Sequence, residues 1–141
     1  MAEACNKIFE DEFTDVQSGL ISLCLELVKD KVDKIYAYCS IEEKSHAFNA
    51  FFENDGEIIT LKQLDIDKSI IWNFLRIGTA DLIKIKEICS KYDKPTPTEI
   101  KMNYEVKTHK FNADYQYKSL CAKQTASENF MDWLNETKNK L

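Results

Sequence analysis

The amino-acid sequence predicts an α+β fold: a single antiparallel sheet of about five strands, built from hairpins, with helices packed mainly on one face. Segments rich in β-branched and aromatic residues flank Asp55-Gly56, and two runs of apolar-polar alternation lie between Thr98 and Lys118. Elsewhere, apolar residues recur at three- and four-residue steps, which is typical of helices. Strands in hairpins, together with separate helices, define the α+β class.

The length and composition predict one domain, residues 1–141, with a hydrophobic content of 44%. The net charge of −5 disfavours nucleic acid as a ligand and favours a basic partner. The five cysteines are scattered without metal-ligand spacing, so we expect reduced thiols and a cytoplasmic location. The acidic N-terminus does not resemble a signal peptide, and no apolar run reaches transmembrane length.

The sequence pattern in the first half of the chain predicts one helix and three strands. Periodic apolar residues predict a helix from about Ile8 to Lys29. Strands are predicted at Lys34–Ile41 and Ser45–Glu53, and Ile58–Lys62 is the return strand after Asp55-Gly56.

Register follows from the turn and the apolar pattern. A two-residue Asp55-Gly56 turn places Phe52 opposite Ile59 and Ala50 opposite Leu61. In the last hairpin, an even loop centred on His109-Lys110, most safely of four residues, keeps the apolar faces together. The pairs that this loop predicts are Val106–Ala113, Tyr104–Tyr115 and Met102–Tyr117.

Two helices are predicted between the hairpins. The first carries Ile66 to Leu75 and ends at Gly78. Thr79 caps the second, which carries apolar residues from Leu82 to Cys89 and is stopped by the segment Asp93–Pro97. A last helix begins at Thr125, which has capping-box spacing to Glu128.

Candidate catalytic groups lack a supporting pattern. The two histidines, His46 and His109, have no cysteine or carboxylate at ligand spacing. The carboxylate pairs lie near turns and helix starts, where solvated acids are ordinary; they are Asp11-Glu12, Glu42-Glu43 and Asp65 with Asp67. No phosphate-binding or nucleophile motif is present, so we expect no enzymatic activity, cofactor or metal.

A partner-binding face is the alternative to a catalytic site. If helices cover one face of the sheet, the other exposes an aromatic patch, with Glu53, Glu105 and Asp114 among its polar groups. The patch residues are Tyr36, Tyr38, Phe51 and Ile58. The opposing hypothesis is that a helix or the N-terminal segment covers this face.

The order KIYAYCSI, SHAFNAFFENDGEIITLKQL, helices, PTEIKMNYEVKTHKFNADYQYK and a terminal helix resembles the YezG-like immunity (antitoxin) family of bacteria. The likeness covers most of the chain after about residue 30. It implies a cytoplasmic protein that binds and neutralises a cognate toxin, commonly a nuclease delivered by a contact-dependent or secretion system. An acidic inhibitor would associate quickly with a basic nuclease and occlude its cleft.

We therefore predict two partner-binding surfaces. The open sheet face would contribute Tyr36, Tyr38, Phe51, Glu53, Glu105 and Asp114. The second surface is the acidic turn before a helix, at Asp65 and Asp67. Two alternatives are a small adaptor domain without a toxin partner and an enzyme that uses the scattered acids. An open aromatic face could equally form a homodimer.

Overall fold

A computed structural model of the chain describes residues 2–119 and 124–141, with side chains from residue 9 onward. Its elements, in chain order, are α1 (Ala2–Val28), β1 (Lys34–Ile41), β2 (His46–Asn54), β3 (Glu57–Thr60), α2 (Lys68–Lys91), β4 (Glu99–Glu105), β5 (Phe111–Gln116) and α3 (Ala126–Asn139). A short 3₁₀ helix, Leu61–Gln63, links β3 to α2. The first helix thus begins earlier than its apolar pattern predicts.

The five strands form one antiparallel sheet in the order β3-β2-β1-β4-β5. The predicted α+β class is confirmed. Helices α1 and α2 cover one face and enclose the larger core, while α3 lies on the other face over β1 and β2. None of the described helices combines the length and apolarity needed to cross a membrane.

The β2–β3 hairpin turns at Asp55-Gly56, as predicted. Both residues have positive φ, 51° and 77°, which is the backbone of the type I′ turn that matches strand twist. Phe52 pairs with Ile59 as expected. The predicted pairing of Ala50 with Leu61 is wrong, because the chain leaves the ladder after Thr60 and enters the 3₁₀ helix.

The β4–β5 hairpin has an even loop, as predicted, but the predicted register is wrong by four residues. Tyr104 pairs with Phe111 and Met102 with Ala113. The Glu105 N–H donates to the Lys110 carbonyl (2.9 Å), and the His109 N–H donates to the Glu105 carbonyl (2.9 Å), so the loop closes earlier than expected. A shift of four residues preserves the faces, because side chains alternate with period two.

Helix α2 is continuous, so the predicted break at Gly78 is wrong. Gly78 is buried against the ring of Phe48, and only a residue without Cβ fits that contact. The Thr79 hydroxyl donates to the Leu75 carbonyl (2.8 Å) within the helix instead of capping a new one. By contrast, α3 begins at the predicted capping box, in which the Glu128 N–H donates to Thr125 Oγ1 (3.1 Å).

Candidate functional site

The face expected to be open is covered by α3. Its apolar side places Phe130, Trp133 and Leu134 over the aromatic residues of β1 and β2, in a contact called here the aromatic layer. Tyr36 and Phe51 stack with ring centroids 4.6 Å apart, and Trp133 meets Phe51 edge-on at 5.1 Å. The apolar stripe of α3 must be buried against something, and this sheet face is its partner.

Four predicted site residues are therefore buried. The exposed fraction is 0% for Phe51, 1% for Tyr38, 8% for Glu53 and 9% for Tyr36. The expectation of an open aromatic face is wrong, and the opposing hypothesis of a covering helix is confirmed. A partner approaching this side meets the outer surface of α3 first.

Glu99 is, like Glu53, a buried acid on this side of the sheet. Tyr38 donates its hydroxyl to Glu99 Oε2 (2.5 Å), and Lys101 Nζ lies 3.8 Å from Glu99 Oε1. Lys101 also lies over the Trp133 ring, with Nζ 5.9 Å from its centroid. Tyr38, Glu99 and Lys101 thus form a polar cluster beneath α3. The pairing of Glu99 with Lys101 and Tyr38 offsets the free-energy cost of burying its charge.

The polar end of the same face remains accessible at Glu105 and Asp114. Glu105 accepts a hydrogen bond from the Thr108 hydroxyl (2.9 Å), and Asp114 is exposed opposite Lys101. A shallow depression of about 260 Å³ lies beside them, lined by Lys34, Tyr36, Asn103, Glu105, Lys110 and Asn112. Its two lysines outnumber its one carboxylate, so it is a poor docking place for a basic partner.

Asp65 and Asp67 lie before α2, and both are exposed; we call them the acidic junction. Asp67 caps the helix and accepts hydrogen bonds from the Ser69 N–H (2.8 Å) and the Ser69 hydroxyl (2.8 Å). These donors lower the pKa of the Asp67 carboxyl, so its negative charge is secure at neutral pH. The Asp67 oxygen that caps α2 is thus already hydrogen bonded within the protein.

An exposed tryptophan adjoins the acidic junction. The side chain of Trp72, in the second turn of α2, is 73% exposed. It borders an apolar depression of about 680 Å³, whose lining residues we call the Trp72 surface: Ser69, Trp72, Asn73, Leu75, Arg76 and Thr79. The Arg76 guanidinium donates to Asn73 Oδ1 (2.6 Å), which holds one rim of the depression.

Sequence reasoning missed Trp72, although a signal was available. The buried residues of α2 follow a helical stripe through Phe74, Gly78, Leu82, Ile85 and Cys89. Trp72 lies outside that stripe, on the side that turns to solvent. A large aromatic residue on the polar side of a helix is the pattern to look for.

The structure does not bring the two predicted acidic surfaces together. The acidic junction follows β3 at one edge of the sheet, whereas Asp114 lies on β5 at the other. Helix α1 adds further negative charge: between Phe9 and Val28 it contains five acidic residues and no basic one, namely Glu10, Asp11, Glu12, Asp15 and Glu26. Glu12 is engaged with Lys91 (3.3 Å) and accepts a hydrogen bond from Tyr92.

Nucleophilic and metal-binding groups do not converge. Within residues 2–119 and 124–141, no group of three or more His, Cys, Asp or Glu side chains has the geometry to hold a metal ion. The Cys24 and Cys39 thiols are buried, and burial raises the pKa of Cys24 to about 12. His109 lies in the β4–β5 loop, where Nδ1 is 2.6 Å from the Tyr104 hydroxyl.

Comparison with known proteins leaves the family resemblance as a prediction. No family model matches the sequence, and no curated protein is significantly similar to it.

Proposed function

We propose that the protein is an immunity protein (antitoxin) that binds a cognate bacterial toxin, a basic nuclease, and blocks its active site by steric occlusion. The observation that supports this best is the Trp72 surface beside the acidic junction. Trp72 offers an exposed apolar anchor, and the negative charges of the acidic junction lie just before the same helix. The resemblance to YezG-like immunity proteins points to the same class.

The Trp72 side chain has the properties of a binding hot spot. Tryptophan and arginine are enriched among residues that dominate interface energies, especially near an apolar depression with a polar rim. Here Trp72 and Arg76 are one helical turn apart and line the same depression. An exposure of 73% leaves most of the indole available for burial against a partner.

Charge favours a basic partner. The net charge of −5 includes the acidic junction and the exposed acids of α1. Acidic surfaces attract basic proteins over several ångströms and speed their association, and nuclease domains are basic because they hold phosphates. The inhibitor needs no chemistry of its own, since covering the nucleic-acid cleft is sufficient.

The first test is co-expression with the protein encoded by the neighbouring gene. We expect that protein alone to arrest growth and co-expression of this chain to restore it. If neither neighbouring gene encodes a growth inhibitor, or if growth is not restored, the immunity proposal fails and the adaptor alternative gains support.

The second test locates the contact surface with purified proteins. Trp72→Ala should weaken toxin binding at least tenfold, whereas Met131→Ala, which truncates an apolar side chain exposed to 45% on α3, should leave the affinity unchanged. Asp65→Lys should lower the association rate, most clearly at low salt. Reversal of Glu105 and Asp114 together tests the other predicted surface; if only that double variant weakens binding, the contact lies at the β4–β5 side instead.

A further inference from the structure

Strand β5 forms one edge of the sheet, and no described residue pairs with its outer side. The Glu105 N–H donates to the Lys110 carbonyl, and this bond shows which residues of β5 hydrogen bond to β4. In an antiparallel pair, alternate residues face the neighbour, so Asn112 and Asp114 bond toward β4. Phe111, Ala113 and Tyr115 therefore direct their backbone N–H and C=O groups outward.

Among the features that usually prevent strand addition, this edge strand has one charged side chain, Asp114. Exposed edges are commonly protected by proline, a bulge or lysine within the strand. The segment FNADYQ contains neither proline nor lysine, and it pairs with β4 residue for residue without a bulge. Phe111 and Tyr115 remain 39% and 37% exposed on the face that carries α1.

We propose that β5 pairs with β5 of a second copy of this chain, antiparallel and around a two-fold axis at Ala113. The two five-stranded sheets then form one ten-stranded sheet. Phe111 faces Tyr115 of the second copy, and Asn112 faces Asp114 of the second copy. Each of these contacts occurs twice, because the interface is isologous.

Charge disfavours the neighbouring register centred on Asp114, and the other neighbouring register, centred on Asn112, would pair Phe111 with Ala113 and lose the contact between Phe111 and Tyr115. A two-fold axis at Asp114 also matches the outward backbone groups, but it places two Asp114 carboxylates directly opposite each other, which is unfavourable. The Ala113 axis replaces that repulsion with an amide facing a carboxylate, a pair that can hydrogen bond.

Phe111 and Tyr115, on the face that carries α1, also complement each other across the proposed interface. Gln17 donates to the Tyr115 hydroxyl (2.6 Å), and the Phe13 ring lies 6.0 Å from the Tyr115 ring, so Tyr115 is held in place. Pairing covers the exposed parts of Phe111 and Tyr115 with each other. Aromatic cross-strand pairs are among the favourable contacts of antiparallel sheets.

Sedimentation equilibrium over a wide range of protein concentrations tests the proposal. We expect a rise from the 16.4 kDa monomer to about twice that mass. Asn112→Asp places two like-charged pairs across the interface and should raise the dimer Kd about tenfold. The double variant Asn112→Asp/Asp114→Lys creates opposite-charge pairs and should restore the dimer. Asn103→Asp, on the same sheet face but within the sheet, is the matched control and should leave it unchanged.

Crosslinking provides a second readout that does not depend on charge. The Asn112→Cys substitution is made in a Cys5→Ser/Cys121→Ser background. In the proposed dimer the two introduced thiols lie diagonally across the axis, about 7–8 Å apart, so a short bismaleimide should join the two copies. Asn103→Cys in the same background should not crosslink. A monomer at every concentration overturns the proposal and leaves the edge to a strand of another protein. The proposal is also overturned if the dimer Kd is the same for the wild type, for Asn112→Asp and for Asn112→Asp/Asp114→Lys.

Discussion

Gly78 of α2 lies directly against the ring of Phe48 on β2: a Cβ on Gly78 would fall 2.1 Å from Phe48 Cδ2. Because Gly78 has no Cβ, the backbone of α2 can lie directly on the sheet at this point. The packing offsets the weakening that an internal glycine causes in a helix. Phe48 in turn packs against Phe74 one turn earlier, with ring centroids 5.4 Å apart.

Gly78→Ala should therefore destabilise the protein, although alanine is the better helix former. The added methyl group must displace a buried ring, and overpacking of this kind costs about 1–3 kcal/mol. Gly19→Ala is the matched control, because nothing lies within 4 Å of the new Cβ and the gain in helix propensity should stabilise by about 0.5–1 kcal/mol. Chemical denaturation of both variants gives the sign of each change in the free energy of unfolding. Equal changes in the two variants would refute the packing explanation.

Phe130→Ala should loosen α3. Phe130 is buried against Tyr38 and Phe51, with ring centroids 5.8 and 5.7 Å away, so its truncation leaves a cavity in the aromatic layer. The expected loss in the free energy of unfolding is about 3–5 kcal/mol. Met131→Ala, one residue further on the same helix, should change it by less than about 0.5 kcal/mol. A small effect of both variants would mean that α3 contributes little to stability.

Tyr38→Phe should destabilise by about 1–3 kcal/mol, because Glu99 loses a hydrogen-bond donor in a buried position. Tyr115→Phe removes a comparable hydroxyl that accepts a hydrogen bond from Gln17, but this ring is partly exposed and water can replace the lost acceptor. We expect a clearly smaller loss there. Thermal unfolding of the two variants side by side decides whether burial controls the difference.

His46 should make stability depend on pH near neutrality. Partial burial, and then the nearby Lys86 charge, lower the pKa of His46 from its ordinary 6.5. The unfolded chain then binds a proton more readily than the folded one. The stabilising contribution is complete above pH 6.5 and is lost as the pH falls through the lower, folded value.

Comparison with variants isolates this contribution. His46→Gln should be less sensitive to pH than the wild type across that interval, and Lys86→Gln should reduce the sensitivity by removing part of the cause. Urea titrations at several pH values give the free energies; parallel curves for wild type and His46→Gln would contradict the assignment.

Sequence patterns predicted features that local chemistry controls. Asp55-Gly56 supplies the two positive φ values of its turn, so the register of β2 and β3 near the turn followed directly. The Thr125 and Glu128 side chains satisfy the first amides of α3, so its start was also visible. The alternation of β4 and β5 identified both strands and their faces.

Features set by tertiary contacts were not predictable in the same way. Gly78 has the local character of a helix end, and only its contact with Phe48 explains why α2 continues. The β4–β5 loop closes early, and Val106 stays beside β1 by donating its N–H to the Asp33 carbonyl (3.0 Å). Phe130, Trp133 and Leu134 form an apolar stripe on α3. Such a stripe predicts a helix but does not indicate which surface the helix covers, so the sequence could not show that the face with Phe51 is covered.

The strand order β3-β2-β1-β4-β5 has a consequence for biosynthesis. Strand β1 can pair with β2 as soon as both have emerged from the ribosome, but its other neighbour, β4, follows only after all of α2. Until then, the nascent chain carries an unpaired β1 edge next to apolar side chains that await their cover, which is the surface that chaperones protect. Slow translation through α2 would prolong that exposure, and the yield of folded protein should be most sensitive to conditions during this interval.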